Sequence, residues 1–318
     1  MRLEIGDYSF NFKRRLRILF FKSPWLAQAC RFVIGYTSWI IFIRFIYISL
    51  VTYFSISPQS RFQDVSDSIY HYSMIMAGVS AALFIILLIA LRPLVRFDWR
   101  EFYQPHLLER EWLKGFFKGA LLVGLFCIPL LFLGYYKFVG FYLHPTEAPL
   151  EFFHTLLRVL SIIILTYAEG YLFFIKFPHS LKEQLPHWII AQGVALFYCL
   201  AQYLQFDLGL FHAISLYGVA LSLYARSLLS GTFYQGAGFW AAILILFNPL
   251  FSLPIFGSEH FGILILKPDL NLAGDISPHW ITGGLRGPIC SPIFQIFLLF
   301  DFIKSMMKYR TKSQTGTH

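Results

Sequence analysis

The chain has 318 residues, of which 57% are hydrophobic, 19% aromatic and only 14% charged, and its mean hydropathy is +0.61. Soluble globular domains carry about 25% charged residues, so this composition excludes an ordinary soluble domain and points to an all-α polytopic membrane protein with the lipid bilayer as its first partner. The net charge of +9 would suggest nucleic acid in a soluble chain, but the basic residues cluster between apolar runs, which is the signature of orientation in a membrane.

Residues 1–31 carry Lys13, Arg14, Arg15, Arg17 and Lys22 among Phe10, Phe12, Leu16, Leu19 and Phe20. No small-residue cleavage site follows a short apolar core there, so a basic cytoplasmic segment on the membrane surface is expected rather than a cleaved signal. Eight apolar runs of helical length follow, at about 32–54, 72–95, 118–137, 152–176, 187–204, 208–228, 236–256 and 288–304. The chain accordingly divides into N-terminal transmembrane helices over 32–150, a helical core over 151–256, an outer loop over 257–287 and a last helix with a basic tail over 288–318. The loop holds Pro268, Gly274, Pro278, Gly283, Gly284 and Gly287, which is turn chemistry.

Basic residues set the expected orientation. With the N-terminus cytoplasmic, the inner intervals hold the N-terminal cluster, Arg92, Arg96, Arg100, Arg110, Lys114, Lys118, Lys176, Lys182, Arg226, Lys304, Lys308, Arg310 and Lys312, against Arg61, Lys137, Lys267 and Arg286 outside. Both termini are therefore expected inside, and a compact chain of this kind fits a bacterial inner membrane. The four cysteines, Cys30, Cys127, Cys199 and Cys290, have neither CxxC nor metal-ligand spacing and read as packing residues. No metal or organic cofactor is implied.

Inside a membrane span, each polar residue needs a partner or a purpose. Glu169, in Thr166-Tyr167-Ala168-Glu169-Gly170-Tyr171, is the one acidic residue deep in a span. It either locks helices by hydrogen bonds or moves protons for a substrate or water. Arg158 shares its helix face but lies about 16 Å away along the axis, too far to pair. Gln202 and Asn248 are amides suited to interhelical hydrogen bonds. His212, at the start of the sixth expected helix, has no ligand-spaced neighbours for a metal. Ser215, Gly218 and Ser222 are expected to let that helix pack closely on another.

Four segments carry a more specific pattern. They are Ala168-Glu169 with Phe173; Tyr198-Cys199-Leu200-Ala201-Gln202; Tyr217-Gly218-Val219-Ala220-Leu221-Ser222-Leu223-Tyr224; and Gly236-Ala237-Gly238-Phe239-Trp240-Ala241-Ala242 running on to Leu244 and Asn248. Together they resemble the core of the CPBP family, the intramembrane glutamic endopeptidases that include the type II CAAX-prenyl proteases and the Abi proteins, over about residues 150–256. The family's motifs are EExxxR, FxxxH and HxxxN on successive helices. Thr282-Gly283-Gly284 also resembles a C-terminal segment of some members.

The resemblance implies a water-activating glutamate at Glu169, with Asn248 and Gln202 at positions that orient water and stabilise an oxyanion. It equally shows departures. Ala168 stands for the first glutamate, Phe173 for the arginine, Tyr198 for the phenylalanine, Gln202 for one histidine and Leu244 for the other. Glutamine donates to an oxyanion but exchanges no proton near neutral pH, and leucine does neither. By the expected spans, Glu169 also lies toward the cytoplasmic side and Gln202 toward the outer side, well over about 10 Å apart in depth. The expected function is therefore a catalytically degenerate member that binds a membrane protein, a peptide partner or a substrate segment. The alternatives are an active endopeptidase with Glu169 as general base, and a small transporter, for which Pro249 and Pro254 would break the seventh helix.

Overall fold

The computed structural model describes residues 103–141, 149–176, 178, 186–206, 210–255, 262–269 and 278–314, together with positions 82 and 85. The basic segment 1–31 and the expected span 32–54 lie outside the described residues, as does 72–95 apart from those two positions.

The first described helix, α1, runs over Pro105–Phe132. It starts well before the expected 118–137, because the charged stretch from Glu109 to Lys114 continues the helix on its exposed side, with Lys114 and Glu111 paired at 2.6 Å one turn apart. Pro105 suits this start, where the missing N–H costs no helical bond. The helix ends at a turn in which Gly134 takes φ +79°, and the chain enters the strand β1, Tyr136–Phe141.

Next come α2 (Pro149–Tyr171), extended by a π-helical turn at Leu172–Lys176; α3 (His187–Phe206); and α4 (Leu210–Ser230). These match the expected runs to within a few residues, because each is a long apolar stretch ended by polar residues. The helix α5, Tyr234–Ile245, also continues as a π turn, Leu246–Leu250. It stops short of the expected 256, where Pro249 interrupts the ladder and Ser252 takes φ +55°.

The expected outer loop contains the strand β2, Leu264–Pro268, which pairs antiparallel with β1 from Tyr136↔Pro268 to Phe141↔Leu264, with one register shift between Phe138 and Gly140. The ladder sets Lys137 opposite Lys267, and a salt bridge from Lys137 to Asp269 offsets that repulsion. The short helix α6, Pro278–Thr282, and two 3-10 turns at Gly284–Arg286 and Pro288–Cys290 lead to α7, Pro292–Gln314. Gly283 and Gly287 have φ of +82° and +93°, so the turn chemistry expected at this end of the loop is present, and α7 starts later and runs longer than 288–304.

Among the described residues three helices have the length and hydropathy to cross a membrane, over Leu108–Phe132, Thr155–Ile175 and Leu210–Ser230. The first spans about 37 Å at 1.5 Å per residue, more than the roughly 30 Å of bilayer hydrocarbon. Along it Phe117, Leu121, Leu125, Ile128 and Phe132 are each more than half exposed at helical spacing. An apolar stripe of this kind facing outward suits lipid and would be a liability in water.

The helix α5 sits at the centre. Every residue from Tyr234 to Leu244 is buried, as expected for a helix apolar on all sides. It packs against α1, α2 and α4. The approach to α1 is a small-residue contact: a Cβ added at Gly115 would collide with the Gln235 carbonyl, and one at Gly238 with the Trp112 carbonyl, while at Gly119 it would meet the Phe239 carbonyl at 2.5 Å. The GxxxG spacing of Gly115 and Gly119 thus lets the two backbones touch.

The helix α4 bridges α3 and α7. Of the small residues expected to permit close packing, Gly218 faces Gln295 of α7, and Ser222 donates to Asp301 of α7 at 2.5 Å. Ser215 instead bonds the Phe211 carbonyl of its own helix. Arg226, counted among the inner basic residues, lies in the last turns of α4 and is 4% exposed. It forms a two-pronged bond with Asp301, Nε to Oδ2 at 2.9 Å and the second nitrogen to Oδ1 at 2.5 Å, and its guanidinium lies 3.8 Å from the Phe239 ring centroid.

Candidate functional site

Glu169 occupies the last turns of α2, just ahead of the π turn. Across from it, Tyr198 and Gln202 stand four residues apart on α3, so a helix of 3.6 residues per turn presents both to one neighbour. The Tyr198 hydroxyl donates to Glu169 Oε2 at 2.9 Å, and Gln202 Nε2 donates to Oε1 at 2.5 Å. Trp240 on α5 hydrogen-bonds the same carboxyl. An indole N–H is a donor only, so the bond runs toward the oxygens. Three helices therefore converge on one carboxyl group.

This geometry overturns the expected separation in depth of Glu169 and Gln202. That expectation assumed neighbouring helices running side by side and aligned with the membrane normal. Instead α2 and α3 meet chiefly where α3 passes the π turn after Glu169, so the C-terminal halves of both helices reach the same point. The π turn adds a residue to the helical repeat there and re-aims the side chains around it.

The site is enclosed. Glu169 is 1% exposed, Tyr198 0%, Gln202 1% and Trp240 2%. Burying a carboxyl away from water is costly unless its oxygens are bonded, and three neutral donors supply those bonds. Phe173 occupies the motif's arginine position, is fully buried, and sets its ring edge-on to Tyr198 with centroids 5.1 Å apart. Phe174 lies at 5.7 Å on the same ring. Where a cation is expected from the family pattern, an aromatic wall holds the tyrosine in place.

Gly170, next to Glu169, has the Phe233 ring 2.9 Å and the Ala237 methyl 3.2 Å from where a Cβ would stand. Only glycine lets α2 come this near to α5. Ala168 is buried in a small cluster with Leu165.

The other motif positions do not join the group. Leu244 is 1% exposed, one turn beyond Trp240, and contributes only packing. Asn248 lies eight residues beyond Trp240, about 12 Å of helical rise. Its side chain is fully buried, and neither amide atom has a hydrogen-bond partner among the described residues. Arg158 is buried on α2, three turns before Glu169. His212 Nε2 lies 3.2 Å from the Arg286 carbonyl, while the Arg286 guanidinium sits 4.2 Å from the Phe211 ring, so this histidine bridges α4 to the 284–286 turn.

Two participants are not evident from the sequence motifs. Trp240 stands in the Trp-Ala-Ala run, but nothing in that run marks it as a donor to Glu169. Asp301 is a lone acid in the apolar stretch of α7, and its sign, opposite to that of Arg226 in another apolar helix, is the available signal. Among the described residues no group of three or more His, Cys, Asp or Glu side chains is arranged to hold a metal ion.

What the arrangement can do chemically follows from its proton inventory. A carboxylate offers about four acceptor positions, three of them used here by donors. Among the described residues no imidazole or amine touches it. It holds three helices together, and among the described residues the groups bonded to it are a phenol, an amide and an indole, none of which exchanges a proton readily near neutral pH. Compared with family models, curated proteins and solved structures, the chain matches none. The resemblance to the CPBP endopeptidases thus stands on the sequence motifs.

Proposed function

We propose that this chain is a CPBP-like membrane protein in which the family's catalytic glutamate has become a structural lock, and that it binds a membrane protein or peptide rather than cutting it. The observation that supports this reading is that three buried donors hold Glu169. Its two oxygens accept bonds from Tyr198, Gln202 and Trp240, all buried. A general base must reach a water and needs a route for the proton it removes, whereas Glu169 is 1% exposed. The family positions that would supply that route hold Gln202 and Leu244. The two termini lie on the cytoplasmic side in this reading, and the membrane is a bacterial inner membrane.

A second reading keeps peptidase activity, with Glu169 as general base and Asn248 and Gln202 as oxyanion donors. It is favoured by one observation, the buried Asn248 amide whose N–H groups are unspent. Purified wild-type protein and Glu169→Gln, incubated in detergent with membrane-proximal and prenylated peptides, separate the two. The lock reading expects no new peptide termini by mass spectrometry from either protein. It expects Glu169→Gln to melt at lower temperature, because the introduced amide sets an N–H against a donor at a cost of about 1–3 kcal/mol. Cleavage by the wild type that is lost in Glu169→Gln overturns the lock reading.

A further inference from the structure

A second polar site lies away from Glu169. A cavity of about 510 Å³ opens between the start of α3, the π turn after α2, the end of α4 and the last turns of α7. Its polar wall is built around His187. Nδ1 of that ring lies 3.3 Å from the Tyr224 hydroxyl, and Nε2 lies 3.1 Å from the Tyr309 hydroxyl. A neutral imidazole has one N–H and one lone pair, so one tyrosine donates to the ring and the other accepts from it. The accepting hydroxyl keeps its own proton to donate elsewhere.

Two further hydroxyls line the same space. Ser227 is 3% exposed, and its Oγ has no hydrogen-bond partner among the described residues; the Thr232 Oγ1 is in the same position. Buried hydroxyls are normally bonded, so two together in one cavity wall mark a place where a ligand's acceptors complete the set. Lys312 at the rim adds a positive charge, and among the described lining residues there is no carboxylate. The cavity therefore offers hydroxyl and ammonium donors with no carboxylate among its described lining to repel an anion, which suits an oxyanion. Phe174, Ile175 and Phe233 form an apolar wall beside these donors.

We propose that this cavity binds the phosphate headgroup of an anionic membrane lipid, the free hydroxyls of Ser227, Thr232 and one tyrosine donating to its oxygens, Lys312 supplying the countercharge and the aromatic wall receiving the first part of the acyl chain. Free phosphate presents the same oxyanion. The proposal stands apart from the reading of Glu169, since none of these donors touches that carboxyl.

The test uses the full chain in neutral detergent and a fluorescent phosphatidic acid, with phosphatidylcholine and inorganic phosphate as competitors. Saturable binding is expected that phosphatidylcholine does not displace. Ser227→Ala and Lys312→Gln are each expected to weaken it about tenfold, the worth of one hydrogen bond to a charged group. Ser227→Ala removes a hydroxyl that bonds nothing among the described residues, and Lys312 is exposed, so both variants retain the fold. Lys304→Gln, on the same helix but outside the cavity, leaves the affinity unchanged. Displacement by millimolar phosphate keeps the oxyanion site and assigns it to a soluble ligand; failure to displace assigns it to the lipid. Binding unchanged by Ser227→Ala, equal loss from Lys304→Gln, or no saturable binding of either phosphate overturns the proposal.

Discussion

The Glu169 carboxyl shows how far a single residue's role depends on its neighbours' chemistry. Tyr198→Phe removes one donor while keeping the ring that Phe173 and Phe174 hold. Leaving a buried carboxyl oxygen short of a bond costs about 1–3 kcal/mol, so a lower melting temperature in detergent is expected. Asn248→Leu tests the opposite case. Its amide is buried with no partner among the described residues, so replacing it with an apolar side chain of similar size is expected to hold or raise the melting temperature. A clear drop would mean that the amide is bonded. Glu169 was legible as the one deep acid, and Tyr198 and Gln202 as motif positions, though not as its partners. Trp240 was not, because an indole in an apolar run is ordinary core until its N–H is seen to point at an acceptor.

At the scale of elements, α4 and α7 are joined through Arg226 and Asp301. The carboxylate accepts two bonds from one edge of the guanidinium and one from Ser222 as well. Asp301→Ala leaves a 4%-exposed arginine without its counter-ion, and a destabilisation of about 3–5 kcal/mol is expected. Arg226→Met combined with Asp301→Leu is expected to recover most of that loss, because no buried charge then remains. Urea or thermal melts of the three variants check both statements, and a double variant no better than Asp301→Ala would contradict the second. The helices α2, α3 and α4 were readable from the lengths of their apolar runs. The strand β2 was not, since five residues within a Gly- and Pro-rich stretch take strand geometry only by pairing with Tyr136–Phe141, more than a hundred residues away in sequence.

For the whole molecule, several charged groups gather at one end of the described helices. Lys118 lies within electrostatic reach of Arg226, Asp301 and Lys308, so the early part of α1 and the later turns of α4 and α7 share one end. Lys137 and the β1–β2 pair follow the far end of α1. Under the proposed orientation, in a cysteine-free background, Lys312→Cys is expected to react with an impermeant thiol reagent only from the cytoplasmic face and Lys137→Cys only from the outer face. Labelling of both from one side would refute that orientation. Composition and periodicity by themselves determined that the chain is a mostly helical protein with apolar spans, because burial of long apolar runs is a local property of each segment. Which polar groups meet was decided only by the tertiary structure. The packing of α3 against the π turn placed Gln202 beside Glu169 and left the Asn248 amide without a partner among the described residues, and those are properties of how helices pack rather than of any one helix.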